Sequence, residues 1–204
     1  MSIRRSASML TLCGLMVAAA ETRTGASART NPDRCDKPLT GLKTLSDPQR
    51  GLVDLRARTT TIRAINSLPK PRRTPTSRNN AFERHVWRVR AVIVKDRLED
   101  DGDIQVILVA RHSYLIAELP APACIPQTTR ARAAIVRARR RFERGCGSAS
   151  RSWTNQGVVA YVSGVGFWDL PNRHPGHAKN YAELHPVTSV RFLVGCDGEP
   201  RGGG

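Results

Sequence analysis

The chain has 204 residues, of which 40% are hydrophobic and 25% are charged. Its 33 Lys and Arg residues outnumber its 17 Asp and Glu residues, and the formal net charge is +16. The length and apolar content predict one domain with tails and one hydrophobic core. Arginine far outnumbers lysine, which suits contacts with phosphate or carboxylate groups. A GC-rich genome would produce the same excess, and net charge informs association rather than fold.

The N-terminus has the layout of a secretory signal peptide. Arg4 and Arg5 precede the apolar run 9–20, which is too short to cross a bilayer as a stable helix. Small residues offer cleavage after Ala20 or after Ala28, and residues 1–28 are taken as the signal. We therefore expect a secreted, periplasmic or cell-envelope protein, with no transmembrane segment once the signal is removed.

Cysteine number agrees with export, because removal of Cys13 with the signal leaves an even set of four. Three pairings are open. We favour Cys124–Cys146, which would staple the ends of a helical region, together with Cys35–Cys196, which would tie the two ends of the mature chain. A zinc site made of these cysteines is the rival, but the chain has no C-x-x-C pair.

Residues 29–80 are rich in Arg, Thr, Pro and Asn, and three prolines fall within 69–75. Proline cannot continue a helix or a central strand. This segment is therefore predicted to be an extended, irregular arm that wraps the domain or stays mobile. Residues 197–204 are predicted to form a disordered tail.

A β-domain is predicted over residues 81–196, beginning with three strands. Apolar residues alternate with polar ones over 87–93, which indicates a half-buried strand. The turn at 100–103 uses Gly and Asp, the residues that tolerate positive φ. It leads into a second strand over 104–110, and a third strand follows over 114–119.

A helix and two more strands complete the domain. Apolar residues recur at helical spacing over 131–142, and arginines occupy the opposite face. Strands four and five are predicted over 158–168 and 184–194. Three strands, a helix and two strands are the connectivity of the OB-fold. The expected fold is therefore mainly β: a small five-stranded OB-like barrel with one helix between strands three and four, preceded by the arm.

Particular motifs also resemble a known family. They are Asp101-Gly102-Asp103-Ile104, Ile116-Ala117-Glu118-Leu119-Pro120 with Cys124, Gly164-Val165-Gly166-Phe167-Trp168-Asp169, and Asn180 with Glu183-Leu184-His185-Pro186-Val187. Over about 39–194 the chain resembles an uncharacterised bacterial secreted family, and the closing Glu-Leu-His-Pro-Val string is the most specific part. The resemblance implies the domain and export, and it implies no established activity.

Two positions depart from that family's pattern. The family commonly has His after Asp-Gly-Asp-Ile, where this chain has Gln105. It also tends to have His-Gly-Gln where residues 172–174 read Asn-Arg-His. If the family uses those histidines chemically, this chain has lost that function.

Histidines and carboxylates near the end of the domain suggest a metal site. Residues 174 and 177 flank a Pro-Gly turn, and residues 183 and 185 share one face of a strand. With the aspartates of the 100–103 turn, such a site predicts a metal-assisted phosphodiesterase. The alternative is solvated turn residues or hydrogen bonds at a strand edge, since neither spacing matches a closed zinc motif. The candidate ligands are Asp169, His174, His177, Glu183 and His185.

Charge and aromatic residues favour a binding protein. Arginines project from the first strand and the helix, an aromatic residue ends the fourth strand, and basic faces with stacking rings suit a polyanion. The alternatives are a solvated arginine face and aromatic residues that belong to the core. The candidate binding residues are Arg88, Arg90, Arg137, Arg140, Arg141 and Trp168.

Three functional hypotheses follow from these patterns. We favour an OB-like module that binds a polyanion such as nucleic acid, an acidic glycan or an anionic surface. The second hypothesis is a metal-dependent hydrolase, active or degenerate, and the third is a structural envelope protein with a protein partner. Catalysis stays open, with the balance against an enzyme, and a divalent metal is the one cofactor considered.

Overall fold

The computed structural model describes residues 35–171 and 174–195 and has a mainly β fold, as predicted. In chain order the elements are α1 (Thr40–Lys43), a 3₁₀ turn (Arg50–Leu52), β1 (Asp54–Thr59), α2 (Ile62–Asn66), a 3₁₀ turn (Phe82–Arg84), β2 (His85–Leu98), β3 (Ile104–Ala110), β4 (Ser113–Leu119), a 3₁₀ turn (Pro122–Cys124), α3 (Arg132–Cys146), β5 (Thr154–Trp168) and β6 (Ala182–Val194). From β2 onward the order of three strands, a helix and two strands is the one that the sequence pattern predicts.

The strands form one six-stranded sheet in the order β1-β2-β3-β4-β6-β5. β2 also pairs with β5, so strands β2 to β6 close into a ring. β2 and β5 have 14 and 15 residues, long enough for each to serve two neighbours. β1 lies outside the ring, as a parallel strand beside the first half of β2.

The main hydrophobic core lies inside the ring. Alternate residues of each strand point inward, for example Val89, Ala91 and Ile93 of β2, all of which are buried. The intervening residues point to the outer face of the sheet, where one region forms a groove and another is covered by the N-terminal segment. Only polar residues that point to the same outer face can therefore come into contact across neighbouring strands.

The N-terminal segment packs on the domain, one of the two alternatives predicted for it, but it contains more regular structure than its composition predicts. Over residues 35–80 it supplies β1, α1 and α2 and packs on the domain. Leu45 and Val53 join a second apolar cluster with Val165 and α3, while Ile62 and Ile65 join the main core. Its short apolar pieces suffice because each docks on an existing apolar surface, and tertiary packing overrides weak local propensity.

A fully buried arginine fixes this segment in place. The Nη2 of Arg78 lies 2.9 Å from the Oδ2 of Asp47. The same guanidinium donates hydrogen bonds to the main-chain oxygens of Leu42 and Glu83. A buried charge is tolerated only when it is paired and hydrogen-bonded in this way. The contacts join residues 42–47 to the start of the ring.

The predicted helix is α3, and it packs chiefly against β6. Ala138 and Phe142 enter the main core, whereas Ile135 belongs to the second cluster. Gly147 follows the helix with φ 85°, a conformation that favours glycine. None of the helices in the described ranges is long and apolar enough to span a membrane.

The disulfide pairing differs from the one that we favoured from sequence. Cys35 is bonded to Cys124, with a Cα–Cα distance of 5.1 Å. The expected Cys124–Cys146 and Cys35–Cys196 pairs are therefore wrong. Residues 35–43 lie beside the 3₁₀ turn that holds Cys124, while α3, about 20 Å long, carries Cys146 to its far end. Cys146 is buried and is also disulfide-bonded. Cys196, the predicted signal and the predicted tail fall outside the described residues.

Candidate functional sites: a basic groove and a buried polar cluster

A basic groove crosses the outer face of β1, β2, β5 and β6. Strand register places Arg88 opposite Thr59 of β1 and Ser163 of β5, and it places Ser163 opposite Ser189 of β6. These four residues form one row across four strands. Ser163 is buried at the floor of the groove, and the other three are exposed.

A second row runs beside the first and contains an aromatic ring. Arg90 of β2 lies opposite Tyr161 of β5, which lies opposite Arg191 of β6. The guanidinium carbon of Arg191 is 5.1 Å from the centre of the Tyr161 ring, a cation–π distance. Both arginines are exposed. The ring therefore stands between two cationic side chains on neighbouring strands.

The space over these rows is a cavity of about 450 Å³, and none of the described residues that line it is a carboxylate. Its lining residues are Thr59, Arg88, Tyr161, Ser163, Ser189 and Arg191. A second cavity of about 270 Å³ shares Arg88, Ser163 and Ser189 with it and reaches the N-terminal end of α3, at Ala134 and the preceding Ala131. Together they form one elongated, positively charged groove of a size suited to a ligand.

Sequence reasoning identified part of this groove. Arg88 and Arg90 project opposite the core face, where the alternation of β2 places them. Arg191 and Ser189 were missed, because a strand pattern shows which residues share a face and not which strands become neighbours. The β5–β6 register brings them to Tyr161 and Ser163.

The arginines of α3 divide into exposed and structural groups. Arg137, Arg140 and Arg141 are exposed, and the guanidinium of Arg141 lies 5.2 Å from the centre of the Phe192 ring. Arg139 is buried instead, and its Nη1 donates to the main-chain oxygens of Gly102 and Leu119. Part of the predicted polyanion surface on this helix therefore has a structural role.

Trp168 is a core residue and not an exposed binding residue. Its side chain is buried, and its ring packs 4.9 Å from the ring of Phe82, centre to centre. It lies on the inner face because Val162, an even number of residues before it on β5, also points inward. This placement corrects the expectation that Trp168 would stack on a ligand.

A separate polar cluster is buried on the outer face of β3, β4 and β6. Asp103 stands at the start of β3, and Glu118 lies in β4. β4 is parallel to β6 with Ala117 opposite Leu184, so Glu118 and His185 are adjacent on the other face. Asp103, Glu118 and His185 each offer a potential metal-ligand atom, and these atoms lie within 4.8 Å of one another.

The imidazole of His185 stands between the two carboxylates. Its Nε2 is 3.2 Å from the Oδ2 of Asp103, and its Nδ1 is 3.1 Å from the Oε2 of Glu118. Neither contact has the angles of a hydrogen bond. The ring of Phe167 packs edge-on against the imidazole at 5.4 Å. His185 is fully buried, so its orientation is set by this packing.

Two further buried polar side chains face the same region. Gln105 lies directly opposite Glu118 in the β3–β4 ladder, and Glu183 precedes His185 by two residues, so both occupy the outer face. Among the described residues, neither amide atom of Gln105 has a hydrogen-bond partner, and neither does the Oε2 of Glu183. A buried polar group without a partner costs about 1–3 kcal/mol.

The N-terminal segment covers this cluster. The Nζ of Lys43 lies 3.9 Å from the Oε2 of Glu118. A small cavity of about 10 Å³, close to the volume that one water requires, lies beside Asp103. Lys43, Asp101 and the Cys35–Cys124 disulfide line it, with Lys37, Thr40 and Thr44.

Burial is the largest cause of the shifted pKa values of Asp103, Glu118, Glu183 and His185. Burial raises the pKa of Glu118 to about 7, against the favourable charges of His185 and Lys43. Burial and the nearby Glu118 carboxylate raise the pKa of Glu183 well above its usual range. Burial also raises the pKa of Asp103 and lowers that of His185 to about 4. The cluster disfavours several simultaneous negative charges in the absence of a further cation.

The predicted metal ligands fall into two groups. Glu183 and His185 lie in the cluster, and Asp169 is close enough to raise the pKa of Glu183. His174 and His177 lie in the loop before β6 and are not part of the converging group. There the Nδ1 of His177 is 2.6 Å from the main-chain oxygen of His174, and its ring stacks on Tyr181.

Sequence reasoning missed two members of the cluster as functional residues. Glu118 and Gln105 each sit in a strand that is otherwise apolar, and each is buried. A carboxylate or amide inside a run of buried apolar residues is the signal that could have identified them. Their meeting across the β3–β4 ladder required the register.

Comparisons with known proteins give a distant structural likeness. No protein-family model matches the chain, and no curated protein matches it. A crystal structure described as an aspartyl-tRNA synthetase from Leishmania major Friedlin superposes with a TM-score of 0.40 and 10% sequence identity. The match covers 68% of this chain and 21% of that one, so the chain spans about a fifth of that protein's length. A likeness this distant carries no argument about function.

Proposed function

We propose that the chain is an exported OB-like domain that binds a polyanion along the basic groove, with single-stranded nucleic acid as the best-fitting ligand. The observation that carries this proposal is the row Arg90–Tyr161–Arg191, an aromatic ring between two arginines on neighbouring strands. Single-stranded nucleic acids are bound by surfaces that combine cations for phosphates with rings for bases. The closed ring of β2 to β6, with α3 between β4 and β5, supports the OB-like assignment.

The chemistry of the groove suits a chain of alternating anions and flat groups. Arg88 and Arg191 can each form paired hydrogen bonds with a phosphate. The hydroxyls of Thr59 and Ser189 add donors and acceptors at the same level. An acidic glycan would engage the same arginines, so a binding assay must compare the two ligands directly.

The disulfide supports the exported part of the proposal. Cys35–Cys124 joins residues 89 positions apart and covers the buried cluster. Such bonds persist in oxidising compartments and are rare in the cytosol of most organisms. The pattern of residues 1–28 points to the same compartment.

Binding to labelled oligothymidylate of about 12 nucleotides and to a sulfated glycan of similar charge tests the proposal. We expect Arg88→Gln combined with Arg191→Gln to abolish most binding. The matched control is Arg137→Gln combined with Arg140→Gln, which removes the same charge from exposed positions of α3 that line neither cavity of the groove. Equal losses in the two double variants would show that net charge, and not the groove, attracts the ligand.

The contribution of the aromatic ring requires a second pair of variants. Tyr161→Leu should weaken oligonucleotide binding by about 5- to 150-fold, the range expected for losing one stacked base. Tyr114→Leu is the control, because Tyr114 is an exposed tyrosine of β4 and lies outside the groove. Tighter binding of the glycan than of the oligonucleotide, with no effect of Tyr161→Leu, would assign the groove to an acidic glycan instead.

A further inference from the structure

We propose that Asp103, Glu118 and His185 form a binding site for one divalent transition-metal ion, such as Zn²⁺ or Mn²⁺, beneath the N-terminal segment. The site is separate from the basic groove and does not depend on the proposed function. One potential ligand atom from each residue lies within 4.8 Å of the other two.

The convergence of these residues is costly without a cation. Three buried carboxyl groups, Asp103, Glu118 and Glu183, lie near the ammonium group of Lys43. Arg139, another nearby cation, is already paired with Glu143. If all three are ionised, the group holds two negative charges more than positive ones, and a divalent cation balances them. Buried charges are retained when they are paired or coordinate a metal.

The imidazole of His185 gives independent support for a metal site. His185 is fully buried, its two nitrogens lie 3.1–3.2 Å from carboxylate oxygens of Asp103 and Glu118, and neither makes a hydrogen bond within the described part of the chain. A metal ion can use one of these nitrogens. The carboxylate on the other side then orients the ring through the remaining N–H, an arrangement common for metal-bound histidines.

A bound metal ion would also explain the unpartnered polar atoms around the three residues. The amide of Gln105 and the Oε2 of Glu183 are buried on the same face without hydrogen-bond partners among the described residues. They can complete the ligand set or bond a metal-bound water. The donor set of one imidazole and two or three carboxylates favours a transition metal over Ca²⁺ or Mg²⁺, which prefer oxygen ligands alone.

Metal content and Co²⁺ absorption test the site in the untagged, exported protein. After EDTA treatment, incubation with Zn²⁺ or Mn²⁺ and desalting, we expect about one equivalent of metal and a melting temperature several degrees higher. His185→Gln and Glu118→Gln should both lose the metal and the visible Co²⁺ absorption. His177→Gln is the matched control and should retain both, because His177 lies outside the cluster.

Two results would exclude a metal site at Asp103, Glu118 and His185. Absence of bound metal in the parent protein would refute the proposal, and so would retention of metal by His185→Gln and Glu118→Gln. Loss of metal in His177→Gln would move the site to the loop before β6. If His185→Gln does not melt cooperatively, Glu118→Gln decides, because it keeps the side-chain shape and removes a buried charge.

Discussion

The salt dependence of oligonucleotide binding gives the sharpest test of the groove. Arg88, Arg90 and Arg191 are the three arginines of the two cross-strand rows. Each neutralised phosphate of a single strand contributes about −0.7 to the slope of log K against log salt, so three contacts predict about −2.1. Raising the salt concentration from about 50 to about 200 mM should then weaken binding about 18-fold. Fluorescence anisotropy of a labelled oligonucleotide measures this directly.

Removing one arginine should change the slope by a defined amount. Arg191→Gln is expected to reduce it to about −1.4, so that the same change in salt weakens binding only about 7-fold. Arg137→Gln on α3 should leave the slope unchanged. A slope that falls equally in both variants would refute the reasoning, since it would mean that the ligand samples the whole basic surface.

Three further predictions concern stability. Arg78→Met should lower the free energy of unfolding by roughly 3–5 kcal/mol in urea titration, because it leaves the buried carboxylate that pairs with Arg78 without a partner. Arg73→Ala, at an exposed position, should have little effect. Replacing both Cys35 and Cys124 by Ser removes the bond that spans 89 positions and leaves the bond of Cys146 in place, and it should cost roughly 2–5 kcal/mol; an unchanged melting temperature would contradict this. Burial raises the pKa of Glu83 from 4.5 to about 7. The folded state therefore holds that proton more tightly than the unfolded state, and the free energy of unfolding should fall as the pH rises across this window. Glu83→Gln should make the fall shallower.

Local patterns were sufficient to predict most of the domain. Alternation identified β2, apolar segments bounded by turn residues identified β3 to β6, and helical spacing identified α3. The Asp-Gly-Asp turn lies where positive φ is required, with Gly102 at 88°. These features depend on neighbours along the chain, so a single sequence contains them. The same alternation placed Arg88 and Arg90 on the outer face and placed Glu183 and His185 on a shared face.

The N-terminal segment could not be predicted in this way. Its prolines and arginines indicate an irregular arm, yet β1 and Arg78 are held by surfaces that exist only in the folded ring. The cysteine pairing failed for the same reason. Cys124–Cys146 was favoured because it would join the two ends of a helical region, whereas docking of residues 35–43 on the outer face brought Cys35 to Cys124.

The sequence by itself determined the compartment prediction, the strand–helix order and which residues share a face, because these follow from composition and from periods of two and 3.6 residues. Only the tertiary structure decided which faces meet. Strand register set Arg191 beside Tyr161 and Gln105 beside Glu118, and the parallel β4–β6 pairing set His185 beside Glu118. Both candidate sites are built across strands distant in the chain, and the register that joins such strands is a property of the closed sheet as a whole.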